Sequence, residues 1–121
     1  MDHPLYPAAS KEIATKREEL APEILNAFRA FSKQVFAEGA LPPKTKELIA
    51  VAVAHVTQCA YCIRSHTTRA KLKGATEQEI MEAIWVAAEM RAGWRGRLGL
   101  EVESGDGNSE QRDAKEFFHN W

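Results

Sequence analysis

Cys59-Ala60-Tyr61-Cys62, followed four positions later by His66, holds the residues most able to do chemistry. On a helix turning about 100° per residue, Cys59, Cys62 and His66 share one stripe about 60° wide, so their side chains can meet. With Cys59 at the helix start and Cys62 in its first turn, unsatisfied backbone N–H groups and the positive end of the dipole favour thiolate over thiol. His66, one turn below Cys62, can take the thiol proton or stabilise the thiolate as imidazolium, which is how a cysteine nucleophile is activated. A second thiol within disulfide reach would burden a hydrolase but serves a redox cycle. A thiolate opens an O–O bond and becomes a sulfenic acid, which its neighbour condenses into a disulfide that an external dithiol reduces.

These residues need a helix to carry them and a second one to complete them. Apolar spacing predicts helices over Lys11–Leu20, Pro22–Ala37 and Pro43–Thr57, with prolines at tolerated first positions. Ile24, Leu25, Phe28, Phe31, Val35 and Phe36 form a stripe on the second. Leu48, Ile49, Val51, Val53 and Val56 leave the third almost no polar face, which puts it at the centre of the domain. A fourth helix begins around Cys59 and Ala60 and stops at Gly74, a natural left-handed terminator. Thr76 and Glu79 form a capping-box signature for a fifth, carrying Ile80, Ile84, Trp85, Ala88 and Met90 toward Arg91. If the third and fourth helices form an antiparallel hairpin across Gln58, then Glu47, roughly 15 Å back from that link, lies level with positions from His66 to Ala70. A carboxylate in an otherwise apolar helix needs a partner, and imidazole is a suitable one.

The expectation is an all-α, single domain over residues 1–121, of five to six helices, with Cys-x-x-Cys at the N-terminus of a central helix. Sixteen Lys and Arg against seventeen Asp and Glu give a net charge of −1 with no long run of either sign, which recommends neither nucleic acid nor a membrane surface as partner. The strongly apolar stretch Leu48–Val56 is too short to span a bilayer. The first residues lack a basic and apolar leader pattern, so a cytoplasmic location is expected. No nucleotide-binding glycine motif suggests that the chain holds a nicotinamide, and no cofactor is expected. Five of the seven glycines fall between Gly93 and Gly107, ahead of a terminal Phe117-Phe118-His119-Asn120-Trp121 that wants burial, either within the chain or against another subunit.

A Glu twelve positions before Cys-x-x-Cys and a His four after it resemble the alkylhydroperoxidase D-like branch of the carboxymuconolactone decarboxylase family. The likeness runs from about Pro22 to Arg91 and includes Phe28-Arg29-Ala30-Phe31, Lys44-Thr45-Lys46-Glu47-Leu48-Ile49-Ala50 and Gly74-Ala75-Thr76. It implies an all-α fold assembled into trimers or hexamers, hydroperoxide as substrate, and reduction by a lipoylated or thioredoxin-like dithiol partner. It also implies that Cys62 is the peroxidatic cysteine and Cys59 the more accessible resolving cysteine, with Glu47 and His66 as proton relay. Tyr61 stands where the enzyme that names the branch has a histidine, and packing is the simpler role for it. Members that decarboxylate a muconolactone lack the paired cysteines, which argues against that reaction here.

Three other readings of the same residues stay open at this level. The cysteines, His66 and either Glu47 or His55 could be zinc ligands, although no metal site is the expectation. The cysteines could be inert in a structural assembly module. Taken singly, His66 could be a satisfied core histidine and Glu47 a solvated residue beside Lys44 or Lys46. His55, about 80° from Glu47 on the wheel, is expected to face a different neighbour.

Overall fold

The computed structural model describes residues 5–92, which form five helices and, among these residues, no strand. They are α1 (Lys11–Leu20), α2 (Pro22–Phe36), α3 (Pro43–Thr57), α4 (Ala60–Leu72) and α5 (Glu77–Ala92). Each start carries a local reason. Ser10 caps α1 by accepting from the Ile13 N–H at 3.2 Å, and prolines open α2 and α3 where their missing N–H costs nothing. Thr76 and Glu79 exchange hydrogen bonds of 3.0 and 3.1 Å before α5, so the expected capping box is formed.

The Thr76 backbone N–H, and after it the Lys44 ammonium 2.9 Å away, hold the Glu79 carboxyl below the usual glutamate range. Because the unfolded chain binds that proton more readily, the cap's contribution is fully present above the ordinary glutamate pKa and is lost as pH falls through the lowered one. Glu79→Gln should therefore flatten the acid limb of a plot of melting temperature against pH.

Two chain reversals set the register of the layers. At the end of α4, Gly74 has φ of +91° and the Ala75 N–H reaches back to the Ala70 carbonyl at 2.9 Å, a Schellman closure that buries Ala75 on Ala70. A Cβ at Gly74 would touch nothing within 4 Å, so only backbone conformation resists substitution. Gly74→Ala should cost about 1 kcal/mol in a urea denaturation. At the end of α3 the same closure uses Gln58, left-handed at φ 59°, with the Cys59 N–H on the Ala54 carbonyl at 3.1 Å. Nothing in the residue type announces that turn.

The α3 helix packs along both α4 and α5, and α1 and α2 form a looser arm beside them. Val51, Ala70, Ala75 and Ile80 make the core, with Leu48 and Ile84 packed against it. The central position expected for α3 is therefore observed, but only on one side. Ile49 and Val53 on its other face are about half exposed. The α2 stripe departs further from expectation. Leu25, Ser32 and Phe36 turn partly inward, whereas Ile24, Phe28, Phe31 and Val35 face out. Trp85 and Met90 of α5 are likewise exposed instead of core residues. The physical reason is volume: among the described residues, Val51 is the one large side chain that this small core encloses completely. No helix of the described residues is long and apolar enough to cross a membrane. The glycine-rich segment and the terminal aromatic cluster lie outside the described residues.

Candidate active site

Cys59 is the N-cap of α4, with extended backbone at φ −88° and ψ 99°. That conformation turns its sulfur over the first turn of the helix, where the Cys62 N–H donates to Cys59 Sγ at 3.3 Å. The two cysteines are joined as a disulfide, their Cα atoms 5.2 Å apart, within the range such a bond requires. Both are half-buried. In the reduced protein the same N–H would face a Cys59 thiolate, while Cys62 has His66 one turn below it.

Glu47 reaches this helix from α3. It is 4% exposed and is the one buried charged residue among those described. Its Oε2 accepts from His66 Nδ1 at 2.7 Å. A carboxylate acts only as acceptor, so Nδ1 carries the proton in this contact and Nε2 is left to exchange one with a thiol or substrate. The hairpin register inferred from residue counting thus matches the contact observed. Lys44 pairs instead with Glu79, and Lys46 turns away to donate to the Val35 and Ala37 carbonyls at 2.9 and 2.6 Å. Glu47 is therefore not a solvated partner of either lysine.

Lys46 and Phe36 are the contributors that sequence reasoning missed in their particular roles. Lys46 places a cation on the last carbonyls of α2, satisfying groups that the helix cannot bond itself. This pins the end of α2, where Phe36 stacks on the His66 ring with centroids 5.2 Å apart and planes 25° from parallel. The imidazole is thereby held between a carboxylate and an aromatic face, both from outside α4. Aromatic contacts of this kind contribute about 0.5–1.5 kcal/mol. Phe36→Leu should slow thiol oxidation by up to roughly tenfold, and Phe36→Tyr should restore most of it. Equal rates for Phe36→Leu and wild type would reduce the contact to packing. An aromatic residue at the end of one helix gives no sign in sequence of which later ring it will meet.

The remaining candidates separate from this centre. His55 Nδ1 is committed to the Val51 carbonyl of its own helix at 2.7 Å, and its ring lines a hollow with Ile84, Ala87 and Arg91. It faces α5. Tyr61 donates through its hydroxyl to the Pro7 carbonyl at 2.6 Å and meets Tyr6 edge to face, centroids 6.2 Å apart, tying residues before α1 to the start of α4. Arg91 donates to the Val56 carbonyl at 2.8 Å and so caps α3 just ahead of the cysteines. Among the described residues, no group of three or more His, Cys, Asp and Glu is arranged to hold a metal ion.

Fold and site together define, over the described residues, an all-helical protein with a disulfide-bonded cysteine pair at a helix N-terminus and a buried Glu–His pair beside it. The model of the carboxymuconolactone decarboxylase family matches residues 22–101, and the chain belongs to that family, on its alkylhydroperoxidase D-like side. It is 68% identical over 68 residues to uncharacterized protein 4 in the cox locus of Paracoccus denitrificans, a match covering 56% of this chain and 61% of that protein. A second uncharacterized relative, from Cupriavidus necator, is 36% identical over 72 residues, covering 60% of this chain and 64% of its own. The chain thus spans less than two thirds of the length of these relatives. Among solved structures it is similar to a carboxymuconolactone decarboxylase family protein from Legionella pneumophila, with a TM-score of 0.62 at 36% identity, covering 66% of this chain and 74% of that one. A protein from Methanobacterium thermoautotrophicum gives a TM-score of 0.59 at 41% identity, covering 62% and 84%.

Proposed function

We propose that this protein is a thiol-dependent peroxidase that reduces hydroperoxides through a Cys59/Cys62 dithiol–disulfide cycle. The observation that carries the reading is the buried Glu47–His66 hydrogen bond, set one helical turn from a cysteine pair close enough to be bonded. A structural disulfide closing so short a loop would staple little of the fold, and it would have no use for a buried charged relay beside it.

In the reduced state His66 takes the Cys62 proton, and the resulting thiolate attacks the terminal oxygen of the hydroperoxide. The S–O bond forms as the O–O bond breaks, and the departing alkoxide takes a proton from His66 to leave as alcohol. Glu47 holds the ring and balances the imidazolium charge between these two transfers. The Cys59 thiol then condenses with the Cys62 sulfenic acid, releasing water and forming the disulfide. An external dithiol, lipoylated or thioredoxin-like, returns two electrons and two protons by exchange. The cycle requires a reducing compartment, and we assign it to the cytoplasm on that ground.

The exposed Ile24, Phe28, Phe31 and Val35 stripe, with Ile49 and Val53, supports assembly into a homo-oligomer, a trimer or a hexamer. Stoichiometric hydroperoxide added to the reduced protein should remove two thiols and two hydrogen masses per chain and yield one alcohol. Thiols that stay reduced under excess hydroperoxide would refute the assignment.

A further inference from the structure

Beyond the relay, α4 has a charge asymmetry that the peroxidase cycle does not use. From Cys59 to Gly74 the chain carries Arg64, Arg69, Lys71 and Lys73 and no acidic residue, in a protein whose net charge is −1. Lys71 lies 3.8 Å from Glu77, but Arg64 and Arg69 have no carboxylate partner among the described residues. Both arginines line an open groove of about 560 Å³ that also contains Cys62. Its walls are apolar where Ala9, Tyr61 and Leu72 meet it, and Leu72 is 79% exposed. The volume is that of a site for a medium-sized organic molecule, far more than hydrogen peroxide needs. A larger hollow of about 690 Å³ beside α1 is lined by no cysteine or histidine.

The groove has an order along the helix. Cys62 and Arg69 are two turns apart, about 10 Å along the axis, and Leu72 lies almost a turn further. A reacting sulfur, a guanidinium with no carboxylate partner among the described residues and an apolar wall thus follow one another on one side of α4. We propose that this groove selects organic hydroperoxides that carry a carboxylate, with the anion at Arg69 and Arg64, the O–O bond at Cys62 and the hydrocarbon tail beyond it on Tyr61 and Ala9. The assignment rests on the peroxidase reading and names its substrate class. Arginine is suited to the role because its fork binds a carboxylate through two parallel hydrogen bonds and stays charged at any working pH. A neutral hydroperoxide gains the apolar contact alone, and hydrogen peroxide gains neither. The chemistry at sulfur is unchanged: Cys62 becomes sulfenic acid as the hydroperoxy acid becomes the hydroxy acid, and Cys59 then closes the disulfide with loss of water.

The test compares second-order rates of disulfide formation, read by quenched intact mass, for hydrogen peroxide, linoleic acid 9-hydroperoxide and the methyl ester of that hydroperoxide, each kept below micelle formation. The free acid should react about tenfold faster than its ester at low salt. The ratio should shrink as ionic strength rises and fall to near one in the Arg64→Gln/Arg69→Gln protein. Equal rates for acid and ester in the wild type, or a preference that survives both the salt and the double substitution, would overturn the assignment. If hydrogen peroxide oxidises the pair while acid and ester react alike, only the groove assignment falls. If no hydroperoxide touches the thiols, the peroxidase reading falls and this one with it.

Discussion

Replacing Cys62 by serine is expected to abolish hydroperoxide turnover, and replacing Cys59 by serine to stop the cycle one step later, at a trapped sulfenic acid on Cys62. A hydroxyl at position 62 is far less nucleophilic than a thiolate, and the pair then has no sulfur beside the His66 relay. In Cys59→Ser, Cys62 still has His66 one turn away, so one oxygen should be gained in intact mass and captured by a sulfenic-acid reagent. The geometry makes this a demanding test, because the Cys62 N–H points at Cys59 Sγ and would also support a thiolate there. Should Cys62→Ser accumulate the sulfenic acid and Cys59→Ser stay inert, the order of attack is reversed and the N-cap sulfur is the nucleophile.

Glu47→Gln is expected to slow oxidation of the pair by about a hundredfold while leaving the fold in place. Glutamine keeps the shape and can still accept from His66 Nδ1, but it removes the negative charge that balances an imidazolium. Glu47→Ala should do more, since it leaves the partly buried His66 Nδ1 without its acceptor and opens a void against α4. A stability loss of about 1–3 kcal/mol should accompany the loss of rate. Rates and urea denaturation measured on both variants separate charge from packing. A Gln variant oxidised at the wild-type rate would reduce Glu47 to a structural residue.

Much of the local structure was legible because it depends on residues close in the chain. Pro22 and Pro43 open helices, Thr76 and Glu79 reach each other across three residues, and Gly74 supplies a φ that other residues resist. The Glu47–His66 contact was legible for a related reason. A two-residue link, Gln58 and Cys59, between two regular helices leaves one register, and counting along 1.5 Å steps finds the level. What it could not show is that the link depends on Gln58 adopting a left-handed conformation without glycine.

The outward face of α2 was not legible. Ile24, Phe28, Phe31 and Val35 repeat with helical period just as a buried stripe would, and periodicity reports that a face is apolar without saying what covers it. Lys46 was equally opaque, since its role depends on where the carbonyls of a preceding helix end.

The sequence by itself determined the helices, the capping box of α5, the place of the cysteine pair at a helix start and the pairing of Glu47 with His66, because each follows from spacing within one helix or across one tight hairpin. The tertiary structure alone decided that Phe36 stacks on His66 and that His55 turns to α5. Those contacts join surfaces of separate helices, and only the packing angle and rotation of one against another bring such surfaces together.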